Sequence, residues 1–163
     1  MKVYGIVGFK NAGKTGLMER LVSEITGRGL RVSTVKHAHH TMDIDLPGKD
    51  SHRHRQAGAS QVLLSSANRW ALMTELRDAA EVPLAQLLQQ LAPVDLVLVE
   101  GYKTENHPKI EAHRIETGHP LLAPSESSII AVAADGPVSV PCPVFDLDDT
   151  AAIADFLLES LRT

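Results

Sequence analysis

The sequence predicts an α/β domain built on a mainly parallel sheet flanked by helices, with a small antiparallel addition. Three observations carry that prediction. A strand, a helix and a second strand fit within the first 36 residues, the spacing of a right-handed βαβ crossover. The run Asp95-Leu96-Val97-Leu98-Val99-Glu100 is almost unbroken in its apolarity, the composition of a central strand covered on both faces. Two further strand-like runs, Gln61 to Ser65 and Trp70 to Thr74, flank Asn68-Arg69 in the manner of a hairpin.

Taken in chain order, Val3 to Val7 is a short buried strand. Leu17, Leu21, Val22 and Ile25 then recur at helical spacing until Gly27 and Gly29 stop the helix. Arg31 to Lys36 forms the next strand. A polar stretch from Thr41 to Lys49 precedes a helix that Asp50 or Ser51 caps and that runs to about Ala57. After the hairpin, Pro83 opens a helix that ends near Pro93. Lys109 to Arg114, Ile129 to Ala133 and Val144-Phe145 are further strands. Asp148 to Leu161 is an amphipathic helix with Ile153, Phe156, Leu157 and Leu161 on one face.

The chain has 163 residues, 44% of them hydrophobic and 22% charged, with a formal net charge of -4. That length suits one domain, residues 1–163, with a core of its own, and the composition excludes wholesale disorder. The absence of a global positive field argues against a nucleic-acid partner. No segment approaches the apolar length of a membrane helix, and the apolar run at Met1–Val7 is too short for a secretory signal. The single cysteine, Cys142, allows neither an intrachain disulfide nor a cysteine zinc site. A cytoplasmic location is the expectation.

The chemistry concentrates in Gly8-Phe9-Lys10-Asn11-Ala12-Gly13-Lys14-Thr15, a complete match to G-x-x-x-x-G-K-[ST]. The motif follows a buried strand and opens a helix, so successive backbone N–H groups converge on phosphate oxygens while Lys14 adds a point charge. This is the phosphate loop of a P-loop NTPase-like fold. Gly8, Asn11, Ala12, Gly13, Lys14, Thr15 and Gly16 are the expected nucleotide contacts, and the Thr15 hydroxyl is the expected Mg²⁺ ligand.

Glu100 ends the apolar strand, where ligands of open α/β sheets collect. Asp95 begins it and lies roughly 16 Å away at about 3.3 Å per residue, so only one of the two faces the loop. Glu100 is therefore the second metal candidate and, with Lys14, the candidate catalytic pair, although this class of site usually has an aspartate there. In the polar stretch, Lys36, Lys49, Arg53 and Arg55 surround Asp43, Asp45 and Asp50. Asp45 and Lys49 are expected to reach the metal or phosphates in a nucleotide-responsive loop, although a solvated surface has the same composition. The histidines His37, His39, His40, His52 and His54 lack the spacing of a tetrahedral zinc site. Asp135 follows the apolar run Ile129 to Ala134, at the edge where ligands bind. A carboxylate there accepts from guanine N1–H and N2–H₂, whereas adenine offers neither, but Asp135-Gly136-Pro137 also makes an ordinary turn.

Gly8 to Thr15, Lys36-His37-Ala38-His39-His40, Asp43 to Ser51 with Ala57-Gly58-Ala59, Arg69 to Glu75 and Asp95 to Gly101 together carry a resemblance. The chain resembles the molybdopterin-guanine dinucleotide biosynthesis adapter family, small P-loop GTP-binding proteins, over essentially its whole length. Residues 102–128 contribute only Pro108-Lys109-Ile110-Glu111 to it. The resemblance implies a homodimer that binds GTP with Mg²⁺ and assists the molybdenum cofactor guanylyltransferase. It implies at most a slow GTPase activity and no nucleotidyl transfer by the adapter itself. Two other classes share the phosphate loop, a small-molecule kinase and a metal-delivery GTPase.

Overall fold

The computed structural model describes residues 1–38 and 44–159. His39, His40 and Asp43 of the polar stretch, and Leu161 of the last helix, lie outside the described residues. The chain resolves into two compact units, Met1–His37 with Leu91–Thr163, and Ala38–Gln90.

The larger unit is a six-stranded sheet in the order β2-β5-β1-β6-β7-β8, parallel in every pairing. Its strands are β1 (Lys2–Val7), β2 (Val32–Lys36), β5 (Leu96–Glu100), β6 (Lys109–His113), β7 (Ile129–Ala134) and β8 (Val144–Asp146). Helix α1 (Lys14–Gly27) and helix α4 (Thr150–Glu159) cover one face. Leu17, Leu21 and Ile25 of α1 and Ile153 and Leu157 of α4 are fully buried against Ile6, Leu98, Ile110 and Ala131 of the sheet. Fully burying such a side chain contributes about 1.5–3 kcal/mol, so this layer anchors the sheet edge from which the phosphate loop leaves.

The opposite face holds a second apolar cluster of Val7, Ala123, Ile129, Val132 and Ala134. It also holds a polar row. Lys109, Glu111 and His113 alternate with Ile110 and Ala112 along β6, and all five residues are buried. The Glu111 carboxylate accepts from the backbone N–H groups of Leu122 (2.8 Å) and Ala123 (2.9 Å), which ties the following loop onto the sheet. The Lys109 ammonium donates to the Ser128 hydroxyl at 2.8 Å and to the Glu105 carbonyl. Burial of the Lys109 and Glu111 charges is tolerated because each has hydrogen-bond partners.

The smaller unit contains α2 (Asp50–Gln56), α3 (Leu84–Leu88) and the antiparallel hairpin of β3 (Gln61–Ser65) and β4 (Trp70–Thr74). The hairpin has the expected bounds. Helix α3 is shorter than expected and stops at Leu88 rather than near Pro93. Only Leu84 of this helix is buried, and Gln90 N–H bonds back to Leu87 in a tightened last turn. At the other termini the shifts are one or two residues. Arg31 and Asp95 bind each other outside their strands, and α4 begins at Thr150 because the Asp149 side chain accepts from Ala152 N–H at 3.0 Å.

Candidate phosphate-binding site

The loop between β1 and α1 takes its shape from its glycines. Gly8 has φ +143°, and a Cβ there would stand 2.4 Å from the Ala112 carbonyl oxygen of β6. Any side chain would collide with a neighbouring strand's backbone. Asn11 (φ 66°) and Gly13 (φ 92°) also adopt left-handed geometry. The turn delivers the chain to α1 with no side-chain cap and no acidic residue in its first turn. The first N–H groups of a helix have no intrahelical partner, so the amides of Lys14, Thr15 and Gly16 are offered to an anion. An uncapped helix N-terminus behind a glycine-shaped turn is an arrangement suited to anions.

Lys14 closes the loop, its ammonium donating to the Phe9 carbonyl at 2.7 Å. Burial holds its pKa below the ordinary lysine value; the Glu100 carboxylate opposes that shift, and Lys103 and Lys36 lower it further. Lys14 thus feels two further ammonium groups and one carboxylate, a local positive excess that a polyanion would neutralise. Lys103 also stands 4.8 Å over the Phe9 ring, and Phe9 stacks on His119 at 4.6 Å between centroids.

Glu100 pairs in register with Ile6 across the β1–β5 ladder, at the edge from which the loop departs. Its carboxylate is 3.7 Å from the Lys36 ammonium. Asp95 lies at the far end, accepting from Arg31 N–H at 2.8 Å; that hydrogen bond is the main cause of its lowered pKa. The sequence reasoning that only one of these acids shares the loop's edge is correct. Gly101 then turns with φ +95°, and a Cβ there would press to 2.9 Å on His37, whose ring stacks on Tyr102 at 4.5 Å. Thr15 and Glu100 both supply oxygen donors, the chemistry that Mg²⁺ takes.

Asp135 lies just past β7 on the same edge. One carboxylate oxygen accepts from Ile115 N–H at 2.8 Å, and the residue lines a shallow depression with Ala134, Gly136, Val144, Phe145 and Asp146. Asp45 and Lys49 belong to the smaller unit. The Asp45 carboxylate is held by Arg55, with Oδ1 at 2.5 Å from Nη2 and Oδ2 at 3.3 Å from Nε, and Arg55 also reaches Glu75 at 2.7 Å. Lys49 is exposed at the N-cap of α2. Among the described residues no three His, Cys, Asp or Glu side chains gather as a metal site. Sequence reasoning did not single out Lys103, Phe9, His119 or Arg114. One usable signal existed for Arg114, because His37, Gly101, Arg114 and Asp135 each follow the last residue of a parallel strand.

A phosphate loop joining the first strand of a parallel sheet to its first helix defines the P-loop NTPase-like class, and this chain has that architecture. More narrowly, it belongs to the MobB family: the family model described as molybdopterin guanine dinucleotide synthesis protein B matches residues 3–135. The chain is 41% identical to the molybdopterin-guanine dinucleotide biosynthesis adapter protein of Escherichia coli (strain K12), covering 94% of this chain and 90% of that protein. It is 44% identical to the adapter protein of Haemophilus influenzae (strain ATCC 51907 / DSM 11121 / KW20 / Rd), covering 94% and 85%. Its fold is similar to the crystal structure of a MobB protein homolog from Bacillus stearothermophilus, with a TM-score of 0.73 and 32% identity over 99% of both chains. It is also similar to Bacillus subtilis MobB, with a TM-score of 0.74 and 26% identity over 98% of this chain and 97% of that one.

Proposed function

We propose that the protein is the GTP-binding adapter of molybdopterin guanine dinucleotide biosynthesis, acting with the guanylyltransferase that makes that dinucleotide. The observation that carries the nucleotide part is the uncapped N-terminus of α1, preceded by a glycine-shaped loop that Lys14 closes, with the positive charges of Lys36 and Lys103 acting on Lys14. Backbone amides from Lys14 to Gly16 would hold the phosphates, and the Lys14 ammonium, which donates to the Phe9 carbonyl, would add its charge to them. Thr15 and Glu100 are the residues that would hold Mg²⁺, which would supply charge neutralisation on the phosphate chain. Asp135 is the residue that would accept from the guanine edge. Lys14 and Glu100 are the residues that a slow GTPase activity would use.

The same reading includes a cytoplasmic homodimer. Leu63 and Leu72 oppose each other across the hairpin at 61% and 45% exposure, with Trp70 beside them at 68%, an apolar surface of the kind that partners cover. Sedimentation velocity checks this, and a monomer at micromolar concentration removes the dimer from the reading.

Calorimetric titration of wild type and Lys14→Ala with Mg-GTP and Mg-ATP tests the core of the proposal. Wild type should prefer GTP, and Lys14→Ala should lose about tenfold to hundredfold in affinity, the worth of a charge-assisted contact of about 1.5–3 kcal/mol. An unchanged affinity in the variant overturns the phosphate-loop assignment. Adding the guanylyltransferase should produce a complex with the wild-type adapter, and no association at any nucleotide state overturns the adapter role.

A further inference from the structure

Arg114 is the first residue beyond β6, with extended backbone at φ -120° and ψ 125°. Strand β6 runs parallel beside β1, with Val7 in register with Glu111, so Arg114 stands at the edge from which the phosphate loop departs. Its side chain lies against that loop. A Cβ built on Gly13 would be 3.2 Å from Arg114 Nε, 3.8 Å from Nη2 and 3.2 Å from Leu147 Cδ2. The guanidinium therefore rests on the residue that immediately precedes Lys14.

Its hydrogen bonding is incomplete. Nη1 is 3.6 Å from Glu116 Oε1, an exposed contact between side chains 41% and 74% accessible, which contributes little in water. Nε is buried, and among the described residues nothing accepts from it. A buried donor without an acceptor is rare and costly in a native fold. An arginine carries a rigid fork of N–H groups that matches phosphate oxygens in pairs.

We infer that Arg114 is a nucleotide-binding residue that grips the inner phosphates from the β6 side of the loop, opposite Lys14. The sheet order supplies the direction. Lys14 interacts with Glu100 and Lys36, which lie on β5 and β2 to one side of β1, whereas Arg114 approaches from β6 on the other side. A nucleotide with its terminal phosphate near Glu100 and its base near Asp135, beyond β7, lays its phosphate chain across the ends of β1 and β6. The part that passes Arg114 is then nearer the ribose than the terminal phosphate. This inference rests on the proposed nucleotide site and adds a second cation to it.

The test compares Mg-GTP and Mg-GDP affinities of wild type, Arg114→Ala, Arg114→Lys and Lys14→Ala by calorimetry, alongside the melting temperature of each protein without nucleotide. Arg114→Ala should weaken GTP and GDP alike by about tenfold to hundredfold, equivalent to roughly 1.4–2.8 kcal/mol, with the GTP-to-GDP ratio kept. Arg114→Lys, which keeps the charge and loses the fork, should recover part of the affinity, and both variants should melt close to wild type. Wild-type affinity in Arg114→Ala overturns the inference, as does a loss confined to GTP. So does a loss that accompanies a lowered melting temperature and that lysine does not relieve, because packing on Gly13 and Leu147 then accounts for it. If Lys14→Ala loses binding and Arg114→Ala does not, the phosphate loop stands and only Arg114 falls. If wild type binds neither nucleotide, both fall.

Discussion

Replacing Glu111 with glutamine keeps the shape of the side chain and removes its charge, at a position with 0% exposure. The carboxylate accepts two backbone hydrogen bonds, from Leu122 at 2.8 Å and Ala123 at 2.9 Å. A glutamine presents its oxygen to one of those N–H groups and its NH₂ to the other, so one buried donor loses its acceptor. That costs about 1–3 kcal/mol, and the surviving bond weakens by about 1 kcal/mol when it is no longer charge-assisted. Relief from burying a charge offsets part of this, leaving a net destabilisation of about 1–3 kcal/mol. For a chain of this size each kcal/mol moves the melting midpoint by about 2–4 °C, so a fall of roughly 2–12 °C is expected by calorimetry. Faster amide exchange at Leu122 and Ala123 should accompany it. The consequence reaches the site, because the tethered loop also carries His119, which stacks on Phe9 of the phosphate loop. A midpoint within about 1 °C of wild type, with unchanged exchange at both amides, would refute the assignment of Glu111 as the tether.

Asp135→Asn replaces an acceptor with a group that also donates, and the GTP-to-ATP affinity ratio should fall by about tenfold, or roughly 1.4 kcal/mol. Competition binding with an unaltered ratio assigns base reading to another residue. In the smaller unit, the Arg55 side chain beside Asp45 is the main cause of that carboxyl's pKa lying below the ordinary value. Stabilisation from this pair is complete above the unfolded value of about 3.9 and is lost as pH falls through the lower folded value. Fluorescence of Trp70, the single tryptophan of the chain and part of β4, should report that acid transition. An Asp45→Asn variant with the wild-type acid midpoint would exclude the pair as its cause.

Local pattern was enough for the architecture of the larger unit. An eight-residue string between a buried strand and an amphipathic helix places the phosphate loop, since G-x-x-x-x-G-K-[ST] and helical periodicity are both short-range properties. The apolar run ending in Glu100 likewise marks a central strand and the edge at which its acid lies, and the hairpin bounds follow from alternation and turn residues. What local pattern does not contain is which strand neighbours which. The Lys-Ile-Glu-Ala-His alternation of β6 has the form of a strand with one wet face, yet every residue of it is buried. The cause is a loop eleven and twelve residues further on whose amides satisfy Glu111. Asp45 reads in the sequence as a metal or phosphate contact in a polar stretch, and only the return of α2 brings Arg55 onto it. Arg114 has no motif at all. Its position beside Gly13 exists because β6 pairs with β1 across about a hundred intervening residues, and contacts of that range are decided by sheet order and core packing rather than by neighbours in the chain.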